Sequence, residues 1–391
     1  MPTIPNFLKY HNQLADLLQK NEPDIWSWFS SDVLTQQAFD ENRLTLLKNA
    51  IRLDSETHQT LFESASDVAK LLEIEVPINL YQGTNSQRNA ALIYTPSEIN
   101  IMFEGETLEI LSHTELRCLL GHEMAHFLHK TREDGRYFIA DRMLNWICGE
   151  PGAHHAHVQS LWLSQLYQEI FADRIGLFIC EDRDAAISLL IKMGTGLKQF
   201  SVDGYLTQAR EALDLNKKDG SQGGSHPETY IRALALADWV DNQEKADLRL
   251  PELVEGDTRL EKLDLLEQHR LTELTRKVIE QFLTLEWADS EEVEAHARSF
   301  FPGFERKKTV LENPLNALTE ESSEVQDYLA SILLDFAAAD PDLEDEPLKD
   351  AIVFGKRLGL LKAMEPRIIK DLGVPKKTLS QLIKSAEEIT Q

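Results

Sequence analysis

The chain has 391 residues, 66 acidic against 40 basic side chains, and a formal net charge of -26. With a pI near 4.9, that balance repels nucleic acid and anionic membrane surfaces and excludes them as partners. No run of residues approaches the roughly 18–20 uninterrupted apolar positions of a membrane span, so the expectation is a soluble chain long enough for two or three domains.

The N-terminus, from Met1 to His11, lacks a basic start followed by an apolar core, so no secretory signal is expected. Residues 1–55 read as amphipathic helices carrying a Trp26, Trp28 and Phe29 cluster, placed to pack against the domain C-terminal to them. A helical pattern runs from about 57 to 74. Short apolar runs at 76–81, 90–94 and 99–103 then predict strands, the last two joined by a turn at 95–98. An open edge on such a sheet can pair with an extended peptide, and Asn89 and Ala90 would lie on that edge and bind substrate.

The next segment opens with Ser112 and has Glu115 three residues on, a capping box that starts a helix. That helix carries Gly121-His-Glu-Met-Ala-His126. Side chains four apart share a helical face, so the imidazoles of His122 and His126 can hold one metal ion, with Glu123 one step round and able to act on a water. Leu116, Leu119, Leu120, Ala125, Phe127 and Leu128 make the helix mostly buried, where polar groups need partners. His129 comes three residues later and reads as peripheral, because a fourth protein ligand would close the site.

Residues 137–148 predict a lid or packing helix. His154, His155 and His157 read as a solvated loop or helix start rather than a second metal site. A second apolar helical stretch then carries Glu169 and Asp173 on one face. Glu169 can complete a His2Glu zinc site, and Asp173 can fix the tautomer of a ligand histidine. The glycine-rich piece 219–225 predicts a loop feeding His226. By themselves, His226 reads as a turn residue before Pro227 and Arg232 as a surface helix charge. The three cysteines, Cys118, Cys148 and Cys180, sit in apolar stretches without C-x-x-C spacing and read as reduced core thiols, which fits a cytoplasmic protein.

Beyond about residue 240 the pattern is nearly all helical. Leucine and isoleucine recur at three- and four-residue steps over 258–287, and residues 320–350 hold eleven acids and one lysine. A helix from 328 ends at Pro341, a second runs to 361, and a last one covers about 376–389. The acidic turn at 340–346 lacks the glycine of a calcium loop and reads as solvated.

Taken in order, Asn89-Ala-Ala-Leu-Ile-Tyr94, Ser112-His-Thr-Glu-Leu116, Gly121-His-Glu-Met-Ala-His126, Glu169-Ile-Phe-Ala-Asp173-Arg-Ile-Gly176 and Ser225-His-Pro-Glu-Thr-Tyr-Ile-Arg232 resemble the gluzincin zinc peptidases of the HtpX and CaaX-prenyl-protease type, over about residues 60–240. The resemblance implies one zinc ion on His122, His126 and Glu169, with Glu123 as general base. It implies an outer role for Asp173, and His226 with Arg232 beside the oxyanion. The chain departs at Ala91, where the family carries an aromatic, and in lacking membrane spans. Residues 321–391 resemble, in outline, the TerB-like helical module. The expected fold is α+β, mostly α-helical, with a gluzincin core, a small edge-exposed sheet and all-α flanks. The expected regions are 1–55 helical, 56–240 metallopeptidase, 241–320 connecting and 321–391 an acidic interaction domain that could bind a protein partner. The expected function is zinc-dependent endopeptidase, acting on peptide or protein substrates. The alternative is an idle or latent protease-fold scaffold that regulates through its C-terminal helices.

Overall fold

The computed structural model describes residues 3–31, 35–216, 218–307 and 315–389. The fold is α+β and mostly α-helical, 67% helix with one small mixed sheet of four strands. The chain divides into two compact units, Met1–Asp257 and Thr258–Gln391.

The first unit begins with α1 (Lys9–Asn21), α2 (Pro23–Phe29) and α3 (Thr35–Asn49), then β1 (Ala50–Arg52). The strand is a departure from the all-helical reading of 1–55. Three residues are too few to show a period-two pattern, and the strand exists because a distant segment pairs with it. Arg52 donates to the Tyr81 hydroxyl at 3.2 Å, with its guanidinium over that ring. Helix α4 (Gln59–Leu71) then leads to β2 (Ile78–Gly83), β3 (Asn89–Leu92) and β4 (Ile99–Glu104).

The strand order is β1-β2-β4-β3, so β1 and β3 are the edges. β2 and β4 run parallel, while β3 is antiparallel to β4 with Asn89 opposite Glu104 and Leu92 opposite Ile101. Leu80, Ile99, Ile101 and Phe103 are fully buried against α4 and the long helix after the sheet.

After a short α5 (Thr107–Ile110) comes α6 (His113–Thr131). The capping box is present: Ser112 N–H donates to Glu115 Oε2 at 2.7 Å, and Glu115 N–H to Ser112 Oγ at 3.3 Å. Next come α7 (Arg136–Gly149), α8 (His155–Cys180), α9 (Arg183–Thr195), α10 (Val202–Asn216), α11 (Thr229–Asn242) and α12 (Leu250–Val254). α7 packs on α1, α2 and α8, with Trp28, Phe29 and Trp146 grouped on its outer side. Lys192 of α9 donates to Glu115 at 2.8 Å and ties α9 to the start of α6.

α6 and α8 form the centre of the unit. They cross closely because Gly121 and Gly176 meet there: a Cβ on Gly121 would lie 2.8 Å from Ile179 Cγ1, and one on Gly176 would lie 2.8 Å from the Cys118 carbonyl oxygen. Real side chains do not approach that near, so glycine sets the interhelical distance.

Among the described residues the second unit is all-helical: α13 (Leu265–Phe282), α14 (Glu291–Phe300), α15 (Ser323–Ala337), α16 (Glu346–Leu358), α17 (Leu361–Lys370) and α18 (Lys376–Ile389). Its core gathers Ile279, Phe282, Leu329, Leu333, Phe336, Ile352 and Leu358. At the acidic turn, Asp340 accepts from the Asp342 N–H at 3.0 Å and from the Ser290 hydroxyl at 2.5 Å. Among the described residues no helix is long and apolar enough to cross a membrane.

Candidate metal centre

His122 and His126 lie one turn apart on α6, and Glu169 faces them from α8. His122 Nε2 is 3.4 Å from Glu169 Oε2, and His126 Nε2 is 3.6 Å from Glu169 Oε1. Their three ligand atoms lie within 4.8 Å of one another, the one His/Cys/Asp/Glu group among the described residues that fits a metal ion. Neither His154, His155 and His157 nor the acidic turn qualifies. His154 instead caps α8 by accepting the Ala156 N–H at 3.3 Å. His129 is fully buried on the far side of α6, 4.6 Å ring to ring from His11.

The donors fit a cation chemically. Asp173 Oδ1 sits 3.1 Å from His122 Nδ1, so that nitrogen is a donor and Nε2 of the neutral ring presents a lone pair to Glu169. Two acceptors facing each other in a buried site repel unless a proton or a metal ion lies between them, and Glu169 Oε2 has no hydrogen-bond donor of its own. The protein without metal relieves this with a proton. Burial opposes a charged His122, but its bonds to Asp173 and Glu169 outweigh it and push the pKa up to about 10. His126 has no hydrogen-bonded carboxylate, and burial outweighs the pull of Glu169 and lowers it to about 3, which keeps it neutral.

Glu123 is buried between α6 and the sheet. Burial raises its pKa to about 7, against opposing contributions from the neighbouring His122 and from the backbone N–H of Leu92 on β3. The hydrogen bond from Ile93 N–H to Asn100 O makes 89, 91 and 93 the positions that bond β4. The backbone groups of Ala90 and Leu92 therefore face the open edge. Asn89 turns its carbonyl inward, accepting from Thr107 Oγ1 at 3.2 Å. Asn89, Ala90 and Leu92 line a cleft of about 570 Å³ with the three candidate ligands, Glu123, His226 and Arg232.

Arg232 lies deeper than a surface charge. Its Nε donates to Asp173 Oδ2 at 2.8 Å and its Nη2 to Asp173 Oδ1 at 2.6 Å, with Glu169 Oε2 at 3.4 Å from the same Nη2. Burial alone would favour neutral carboxyls, but Arg232 and His122 hold Asp173 and Glu169 below the usual carboxylate range. His226 is more than half exposed, its Nε2 3.4 Å from Glu169 Oε1 and its Nδ1 2.8 Å from Ser225 Oγ.

Sequence reasoning missed what holds that loop. Glu228 accepts from Ser221 Oγ at 2.7 Å and from Gln222 N–H at 2.8 Å, while Trp162 Nε1 donates to the Gly223 carbonyl at 2.8 Å. A Cβ on Gly223 would sit 2.0 Å from the His226 carbonyl oxygen, so the turn requires glycine. The glycine run was the available signal; Glu228 and Trp162 gave none.

No family model matches the chain, and no solved structure matches it. Among curated proteins it is similar to the plastoglobule-localized metallopeptidase 48, chloroplastic, of Arabidopsis thaliana, 27% identical over 217 residues. The match covers 50% of this chain and 59% of that protein, less than two thirds of its length. A metallopeptidase relative and a His/His/Glu cluster fitting a metal ion thus point the same way.

Proposed function

We propose that the unit Met1–Asp257 is a zinc-dependent endopeptidase. The observation that carries the reading is the convergence of His122 and His126 on both carboxylate oxygens of Glu169, beside an open strand edge. His122, His126 and Glu169 would hold one zinc ion, three protein ligands leaving a position for water. Bound there, zinc would supply a lowered pKa for that water and polarisation of the scissile carbonyl.

The remaining steps belong to the chain's own side chains. Glu123 accepts a proton from the attacking water and delivers it to the leaving amine. The Leu92 backbone orients that carboxylate toward the cleft. Asp173 fixes the His122 tautomer, and Arg232 fixes Asp173. With Nε and Nη2 committed to Asp173, Arg232 serves as a positioning residue, and His226, exposed at the cleft, is left to stabilise the oxyanion. Ala90, with the Leu92 carbonyl, bonds the substrate backbone as an added strand, with Asn89 anchoring β3. Leu119, Leu189, Leu190 and Met193 line the cleft and favour an apolar side chain near the scissile bond. A cytoplasmic setting, favoured by the three free thiols, completes the proposal, and fractionation of cells expressing the tagged chain checks it.

The test is Glu123→Gln, with elemental analysis and turnover of a denatured protein. Retained zinc with lost turnover is expected. Wild-type turnover in that variant would end the mechanism, and wild-type protein lacking stoichiometric zinc would end the metal assignment.

A further inference from the structure

α6 and α8 are antiparallel, and their contacts form a ladder. His126 meets Glu169, His122 meets Asp173, and one turn further Cys118 meets the end of α8. At that rung Cys118 Sγ would stand 3.1 Å from a Cβ built on Gly176, and Cys180 follows Gly176 by four residues, on the same face of α8. The two differ in surroundings. Cys118 is buried, whereas Cys180 is partly exposed at the last residue of α8, with its sulfur 3.4 Å from the Asp182 carbonyl oxygen. The third cysteine, Cys148, lies on α7. Two thiols at one rung of a helix pair, one reachable from solvent and one behind it, have the arrangement of an attacking and a resolving cysteine.

We propose that Cys118 and Cys180 are an oxidisable pair that closes to a disulfide between α6 and α8 in the presence of a hydroperoxide. The Cys180 sulfur attacks a peroxide oxygen; the O–O bond breaks, water leaves, and Cys180 becomes a sulfenic acid. The Cys118 sulfur then attacks the Cys180 sulfur; the S–O bond breaks, and the hydroxyl leaves with the Cys118 proton as a second water. Two thiols lose two electrons and two protons, and one hydrogen peroxide is reduced to two waters. The helix pair so tied is the one that presents His122, His126 and Glu169. The cross-link itself does not depend on the metal assignment.

The geometry also orders the events. The Cys118 S–H favours the Cys180 thiolate and so lowers its pKa. Cys118, buried and donating, is held in the thiol form until its neighbour has reacted.

The test uses the full chain treated with hydrogen peroxide, with thiol titration and peptide mapping under non-reducing conditions. Free thiols should fall from the three present to one, a Cys118–Cys180 peptide should appear with a mass loss of about 2 Da, and dithiothreitol should reverse both. Cys148→Ser should form the same link, and Cys180→Ser should form none. The oxidised protein should melt at a higher temperature than the reduced protein, a shift absent from Cys180→Ser. Oxidation that stops at a sulfinic acid on Cys180, a link through Cys148, or a lower melting temperature on closure would each overturn the proposal.

Discussion

Replacing Arg232 with methionine removes a guanidinium that holds two buried carboxylates. Asp173 loses hydrogen bonds of 2.8 and 2.6 Å, and Glu169 loses a cation 3.4 Å away. Breaking a buried ion pair from one side costs about 3–5 kcal/mol, because the other charge stays buried. His122 still touches both carboxylates and can carry a proton, which puts the cost near the lower bound, about 3 kcal/mol. For a unit of this size that is a fall in Tm of roughly 6–12 °C. The deficit should be greatest without metal, since a bound cation would neutralise Glu169. It also has a pH sign. Both carboxyls ionise below their usual range in the native protein, so the stability they share with Arg232 is present above that range and lost as pH falls below it toward the lower native values. Urea unfolding of wild type and variant, with chelator and with zinc, at pH 7 and pH 3 reads all three trends. A variant within about 0.5 kcal/mol of wild type in chelator at pH 7, but with lost turnover, would mean that Arg232 acts on substrate and that its bonds to Asp173 are incidental.

Further outcomes are expected elsewhere. Gly176→Ala puts a Cβ 2.8 Å from the Cys118 carbonyl oxygen; overpacking of about 1–3 kcal/mol, less about 1 kcal/mol of helix propensity, should lower stability and weaken zinc affinity by isothermal titration. Burial lowers the His11 pKa to about 4, so the unfolded chain takes up that proton first. Stability should therefore fall as pH drops from 6.5 to 4, by up to about 3 kcal/mol for this group, and chemical unfolding of His11→Gln should show a flatter profile. Glu228→Ala frees residues 221–222 from their anchor; limited proteolysis should cut near Gly223 faster, and kcat should fall while zinc content holds.

Local chemistry made much of the site legible. The capping box, the four-residue spacing of His122 and His126, and the facing pair Glu169 and Asp173 are features of single helices, so the chain order carries them. β3 and β4 were legible because a turn separates two apolar runs. What stayed hidden depends on partners far along the chain. β1 is a strand only because β2 lies beside it. Leu92 contributes backbone, to which side-chain identity is blind. Arg232 looks like any helical arginine until α11 is folded against α8, and His11 becomes a buried neighbour of His129 only when α1 docks on α7 and α8. The departure at Ala91 also has a place: its backbone bonds β4, next to the position that meets Glu123.

The edge of β3 offers outward groups at Ala90 and Leu92 and none between them. A peptide laid along it can shift by two residues and keep every bond, but a shift of one presents the wrong backbone groups. Side chains then enter the cleft at every second position. Cleavage sites mapped along one unfolded substrate should therefore carry their preference at alternate residues, and secondary cuts should fall an even number of residues from the main one.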